Sequence, residues 1–301
     1  MKLKQTTALI LTALLLPLTA CSSEQDQLAN KAIDITLNGD TASCEADGVQ
    51  IQEGQITITS HGIYRISGTL TDGQILVDCS DTGEVWLLLN GVEITSTTGA
   101  CIYVKQADLT HISLEKDTVN TLTDGTNYTF DPGDDEPDGT IFARDDLMLQ
   151  GEGSLVIDAN FKNAIAAKDD LTIADGTYDI VSVGHGIKGK DSLSITGGKV
   201  YVIAEGDGLK ATNAEGGSKG VITITGGTVE IDAGDEGIQA ISDITITGGR
   251  VTVDSRNNGI RSETALIQTG GELVINAEDT PVDVPAENRT GGILTIDGVA
   301  R

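Results

Sequence analysis

Aspartates recur along the chain at a spacing that could assemble an oxygen-rich metal site. TIFARDDL (140–147), AIAAKDDL (164–171) and GIKGKDSL (186–193) share one phrase: a base, one or two aspartates, then a leucine. If successive copies stack, Asp145, Asp169 and Asp191 form one column and Asp146 and Asp170 a second. Strands paired in a sheet stand about 4.8 Å apart. Two like charges about 5 Å apart repel by roughly 3 kcal/mol at an effective dielectric near 20. A divalent cation removes that repulsion directly, and calcium takes about six to eight oxygens from carboxylates and carbonyls. Asp145, Asp146, Asp169, Asp170 and Asp191 are therefore expected calcium ligands. The alternative is that they cap turns by accepting backbone N–H bonds. Arg144, Lys168 and Lys190, the bases that precede them, are expected to offset part of the charge.

A second acidic edge precedes the isoleucine of each repeat. It contains Asp207 in Gly206-Asp207-Gly208 and the pair Asp235-Glu236. Asp207, Asp235 and Glu236 form a second possible metal site, or else a row of solvated turns. Just after the repeat isoleucine runs a column of Lys188, Lys210, Gln239 and Arg261. Arg144, Lys168, Lys188, Lys190 and Lys210 are the expected ligand-binding cations of this surface. Other site chemistry is thin: there is no Ser-His-Asp arrangement, Cys-x-x-Cys pair, P-loop or dinucleotide fingerprint. His185 reads as an exposed turn residue and Trp86 as packing.

The elements that must carry these residues follow from an internal repeat. Ile165, Ile187 and Leu209 are twenty-two residues apart, as are Ile238, Ile260 and Val282. The longer step from Leu209 to Ile238 contains the polar insert Asn213–Lys219. Within each repeat, ITITGGTVEID (222–232) and ITITGGRVTVD (244–254) alternate apolar and polar residues around a Gly-Gly turn, the period of a half-buried strand. So short a unit cannot bury its own apolar face, whereas stacked copies can. The expected fold is an all-β, right-handed parallel β-helix solenoid of about 22 residues per coil, formed by residues 33–301 as a single domain. A polar stretch rich in Asp, Gly and Pro at about 120–139 is expected to project as a long loop.

The N-terminus reads as an export signal. Lys2 and Lys4 precede an apolar run from Ala8 to Leu18, followed by Thr19-Ala20-Cys21. Residues 1–20 are the expected lipoprotein signal peptide, Cys21 the expected lipidation site and 21–32 a tether. The expected location is extracytoplasmic, on the bacterial cell envelope, with the membrane engaged only through the lipid. The formal net charge is −27, and loss of Lys2 and Lys4 with the leader makes it more negative. That excludes nucleic acid as a partner, because phosphate binding needs clustered bases. It also disfavours an acidic polymer unless a cation bridges the two. Cys44, Cys79 and Cys101 remain after export, an odd number that leaves either one bridge, such as Cys79–Cys101, or buried free thiols.

ACIYVKQADLTHISLEKDTVNTLTDGTNY (100–128), EPDGTIFARDDLMLQGEGSLVIDA (136–159), AIAAKDDLTI and GIKGKDSLSI together resemble the bacterial carbohydrate-binding β-helix family. The resemblance covers roughly 75–280. It implies a fold similar to pectate lyases, bound calcium, and binding of cellulose or an acidic plant polysaccharide such as polygalacturonate, without catalysis. It also touches calcium-dependent pectate lyases, in which aspartates like Asp145, Asp169 and Asp170 hold calcium and a lysine like Lys210, or alternatively Lys188, removes the C5 proton. The family reading makes the protein a surface polysaccharide binder; a polysaccharide lyase and a structural adhesin are the alternatives.

Overall fold

The computed structural model describes residues 24–130 and 135–301. The expected signal peptide 1–20 and Cys21 lie outside the described residues. Where a tether is expected, Glu24–Ala29 forms a short helix, and Gln25 Nε2 donates to the Leu114 carbonyl at 2.6 Å. Every other described element is a strand.

Three ladders of strands run through the molecule. The first carries the repeat isoleucine: Ile141, Ile165, Ile187, Leu209, Ile238, Ile260 and Val282 are consecutive parallel partners. The second carries the leucine of the Asp phrase, pairing Leu147, Leu171, Leu193, Ile222, Ile244 and Leu266. The third follows the Gly-Gly turn and pairs Leu155, Tyr178, Val200, Val229, Val251 and Leu273. From Ile141 to Ile260 the first column is wholly buried, and the other two columns are buried throughout. Each such side chain stabilises the fold by about 1.5–3 kcal/mol on burial. Alternation sends the intervening residues outward along strands such as Lys199–Ala204 and Arg250–Ser255, whereas Gly139–Ala143 and Asn163–Ala167 are buried at every position.

The pairing corrects the expected open right-handed β-helix. The second and third ladders are not separate sheets. Glu84–Ser96 pairs through Glu84–Leu89 with the strand Leu109–Leu114 and through Glu93–Ser96 with Val119–Asp124. At the far end Ala265–Ala277 pairs through Leu266–Gln268 with Ile244–Ile246 and through Glu272–Ala277 with Arg250–Ser255. These two long strands join both ladders at both ends, so the circuit closes as a 14-strand parallel β-barrel. The isoleucine ladder lies outside it as a separate 11-stranded sheet. The physical reason is local: in the coils between them the corner interrupts the strand, as between Val221–Ile224 and Thr228–Ala233, whereas these two strands run unbroken through it, at Asn90-Gly91 and at Gly270-Gly271. The twenty-two-residue period reports the pairing register and is blind to which strands continue round a corner.

The expected loop at 120–139 is shorter than its composition suggests, since Val119–Asp124 is a strand. Asp124 anchors the chain beyond this strand: its carboxylate accepts from Tyr128 Oη at 2.5 Å and from the Asn160 N–H at 2.5 Å. Tyr128 stacks on Phe161 with ring centroids 4.2 Å apart. The other arm of the loop, Glu136–Asp138, lies against the outer side of the isoleucine ladder.

Candidate functional site

The outward column of the isoleucine ladder changes character along its length. It runs Tyr103, Phe142, Ala166, then Lys188, Lys210, Gln239, Arg261 and Asp283. The first part is covered, with Phe142 and Ala166 buried, and the second is cationic, on a protein that is otherwise strongly acidic. Carboxylates flank this column on both sides, because turns enter and leave each short strand there.

On the entering side, Asp207, Asp235 and Glu236 converge. One carboxylate oxygen from each lies within 4.8 Å of the others, the one such trio among the described residues. Asp207 and Glu236 are buried and Asp235 is half-buried. Their oxygens are held from several directions. Lys210 Nζ lies 2.6 Å from Asp207 Oδ2, and Asp207 Oδ1 accepts the Glu236 N–H at 3.1 Å. Arg261 reaches Glu236 Oε1 at 3.0 Å, and Asn257 Nδ2 donates to Asp235 Oδ1 at 2.9 Å. Three converging carboxylates form the donor set a hard divalent cation takes. The bases beside them supply the charge balance that a buried carboxylate requires.

His185 sits at the same edge and is not the exposed turn residue expected. Burial, then the charges of Lys210 and Lys188, push its pKa down to about 4. The ring is therefore neutral, and its Nδ1 accepts the Asp207 N–H at 3.0 Å. The 3.4 Å approach of Nδ1 to Asp207 Oδ2 is then a neutral contact rather than an ion pair. With Nδ1 accepting, the ring proton resides on Nε2.

On the leaving side stand Asp145, Asp146, Asp169, Asp170 and Asp191. Several cap turns, as the second sequence reading allows. Asp145 Oδ2 accepts the Ala107 N–H at 2.8 Å, Asp146 Oδ1 the Asp170 N–H at 3.1 Å, and Asp170 Oδ1 the Ser192 hydroxyl at 2.7 Å. They also feel one another. Burial and then repulsion from Asp191, Asp146 and Asp145 hold the Asp169 carboxyl above its ordinary range. Asp146 is raised by burial and by repulsion from Asp170 and Asp145, against the opposing Asp170 N–H. Asp191 differs: burial pushes it up, but Asn213 and Lys219 outweigh this and hold it low. Lys219 belongs to the polar insert and lies 3.0 Å from Asp191 Oδ2.

Two of the three bases expected to neutralise the aspartate columns, Arg144 and Lys168, pair with a glutamate of the loop. Arg144 Nε lies 3.0 Å from Glu136 Oε2, and Lys168 contacts the other Glu136 oxygen. Lys188 lies 3.2 Å from Asp138 Oδ2. The charge of Lys190, the third of those bases, contributes to lowering the Asp191 carboxyl, after the Asn213 and Lys219 contacts. Lys210, expected beside Asp145, Asp169 and Asp170 in a lyase, is directed to Asp207 instead. Glu136 and Asp138 were not anticipated; their signal was the acidic stretch just before TIFARDDL. Among the described residues Cys44, Cys79 and Cys101 are free, so Cys79 and Cys101 form no bridge.

Two cavities open on this face. One, of about 540 Å³, is walled by Tyr103, Phe130, Pro137 and Arg144. The other, of about 610 Å³, is walled by Asp138, Phe161, Lys162, His185 and Lys188. The arm Glu136–Asp138 contributes to both.

The family model for carbohydrate-binding domain-containing proteins matches residues 52–297 of this chain. The chain belongs to that family. A carbohydrate-binding domain-containing protein of Acetivibrio thermocellus is 43% identical over 135 residues, which is 44% of this chain and 47% of that protein. The match thus spans about half the length of that curated relative. Among solved structures, a polysaccharide lyase-like protein from C. thermocellum, determined as a gadolinium derivative, superposes with a TM-score of 0.77 at 37% identity. The superposition covers 79% of this chain and 97% of that one. The face that carries Lys188, Lys210 and Arg261, with the half-buried Tyr103 farther along it, is the candidate functional site.

Proposed function

We propose that this carbohydrate-binding domain-containing protein binds an acidic polysaccharide, of the polygalacturonate type, along the outer face of its isoleucine ladder, with calcium as the bridging ion. The observation that carries the reading is the convergence of Asp207, Asp235 and Glu236 beside the row Lys188, Lys210 and Arg261. Carboxylates that hold a divalent cation next to lysines and an arginine suit a ligand with its own carboxylates. Calcium bound there would neutralise a sugar carboxylate that the acidic protein otherwise repels. Lys188 and Arg261 would orient the chain, and His185 would present its Nε2–H to a hydroxyl. The raised carboxyls of Asp146 and Asp169 support a second cation among Asp145, Asp146, Asp169, Asp170 and Asp191. Lipidation at Cys21 would hold the protein at the envelope surface, where polymers are met.

A second reading, β-elimination of the same polymer, draws on the polysaccharide lyase-like neighbour and on Lys210 standing beside the carboxylate trio. A lysine that removes a proton needs a free lone pair. Here Lys210 Nζ is engaged by Asp207, which favours binding over catalysis.

One experiment separates the readings. The protein is incubated with polygalacturonate, with and without calcium, and both retention on the polymer and ultraviolet absorbance of unsaturated product are followed. Calcium-dependent retention without product is expected, and it is lost in Asp207→Asn/Glu236→Gln. Product that disappears in Lys210→Ala would establish the lyase. Neither retention nor product would leave a structural adhesin.

A further inference from the structure

The acidic arm of the loop lies on the same cations that would meet an acidic polymer. Glu136 lies between Arg144 and Lys168, which follow neighbouring strands of the isoleucine ladder, Gly139–Ala143 and Asn163–Ala167. Asp138 reaches Lys188 on the next strand, Ile187–Gly189. Two carboxylates of one short segment thus dock on cations of three successive strands. The docking is close: the Glu136 side chain is only 13% exposed. Asp138 Oδ2 makes the contact with Lys188, while Asp138 Oδ1 has no hydrogen-bond partner among the described residues.

We propose that Glu136 and Asp138 occupy carboxylate subsites of the polymer and act as an internal competitor for it. The inference rests on the acidic-polysaccharide reading and deepens it. Arg144, Lys168 and Lys188 are the subsites, the ligand class is a chain bearing regularly spaced carboxylates, and the loop arm is displaced when such a chain binds. Carboxylates from either source satisfy the same half-exposed cations, so the exchange replaces one set of ion pairs by another.

The test compares wild type with Glu136→Gln, Asp138→Asn and the double variant, near-isosteric changes that keep the arm's shape. Each is titrated with polygalacturonate in low-salt buffer containing calcium, after a cooperative melt has shown that it is folded. The double variant is expected to bind about tenfold more tightly than wild type, with a steeper loss of affinity on adding salt. Lys168→Met, which keeps the loop acids and removes a subsite, is expected to bind more weakly than wild type. Unchanged or weaker binding by the double variant, with wild type binding normally, overturns the competition and leaves the functional reading standing. Binding by the variant where wild type shows none supports the competition directly. Absence of binding by both overturns the competition together with the reading beneath it. If the double variant fails to fold, Glu136→Gln alone decides by the same comparison. If neither variant folds, the arm is a structural clamp and the proposal falls.

Discussion

Lys210 Nζ lies 2.6 Å from Oδ2 of Asp207, and the Asp207 side chain has no exposure to solvent. A buried carboxylate with one ammonium partner is sensitive to loss of that partner, because the remaining charge cannot regain water. Lys210→Met is expected to destabilise the protein by about 3 kcal/mol. Asp207→Asn/Lys210→Met should recover part of that loss. Urea unfolding of the two single variants and the double variant forms a cycle whose coupling measures the pair. Additive losses would show that the two residues do not depend on each other.

His185 predicts a stability change with pH. Its folded pKa, about 4, lies below the ordinary histidine value of 6.5, so the unfolded chain takes up this proton first. Stability is therefore undiminished above about pH 6.5, falls as pH drops through the window to about 4, and loses nothing more from this group below it. The full loss amounts to about 3 kcal/mol before allowance for partial solvent exposure. His185→Gln should flatten the curve in that window, measured as the midpoint of urea unfolding at successive pH values. An identical pH curve in the variant would assign the slope to other groups.

Gly208 predicts a packing limit. A Cβ at this position would stand 2.3 Å from Ile231 Cγ2 and 2.7 Å from the Gly237 carbonyl oxygen. The isoleucine belongs to the core, and the carbonyl to the turn that leads into the strand Ile238–Ala240 and accepts the Leu209 N–H, so neither can move far. Gly208→Ala is expected to cost about 1–3 kcal/mol or more through overpacking. At Gly91 nothing lies within 4 Å, although φ is +70°, so Gly91→Ala should cost only about 1 kcal/mol of backbone strain. Equal losses at the two sites would show that strain, not contact, governs both.

The thiols predict a labelling pattern. Cys79 and Cys101 are buried, and burial followed by the charges of Asp81 and Asp78 pushes the Cys79 thiol up to about 11. Burial and then Asp124 push Cys101 up further. Thiolate is the reactive form, so a thiol-reactive dye should leave both unlabelled in the native protein and label both in urea. Cys44, half-buried, should label first. A disulfide detected by mass in unreduced protein would contradict this arrangement.

The sequence alone determined which residues are neighbours across strands. Ile165, Ile187 and Leu209 pair in register because a buried apolar column tolerates no slip: a one-residue shift would turn each isoleucine to solvent. The same register set Lys188 beside Lys210 and brought Asp146, Asp169 and Asp191 close enough to perturb one another. Tertiary structure decided the rest. Only the pairing shows that Glu84–Ser96 and Ala265–Ala277 continue round their corners and close the circuit, because strand continuity at a corner depends on hydrogen bonds to both neighbours and not on period. Only the folded turns show that Asp207, Asp235 and Glu236 converge, since residues of separate turns meet through backbone direction that apolar spacing does not encode. The partners of Arg144, Lys168 and Lys188 lie in a loop without periodicity. A charge in the repeat chooses the nearest carboxylate in space, and here Glu136 and Asp138 were nearer than the aspartates beside it in sequence.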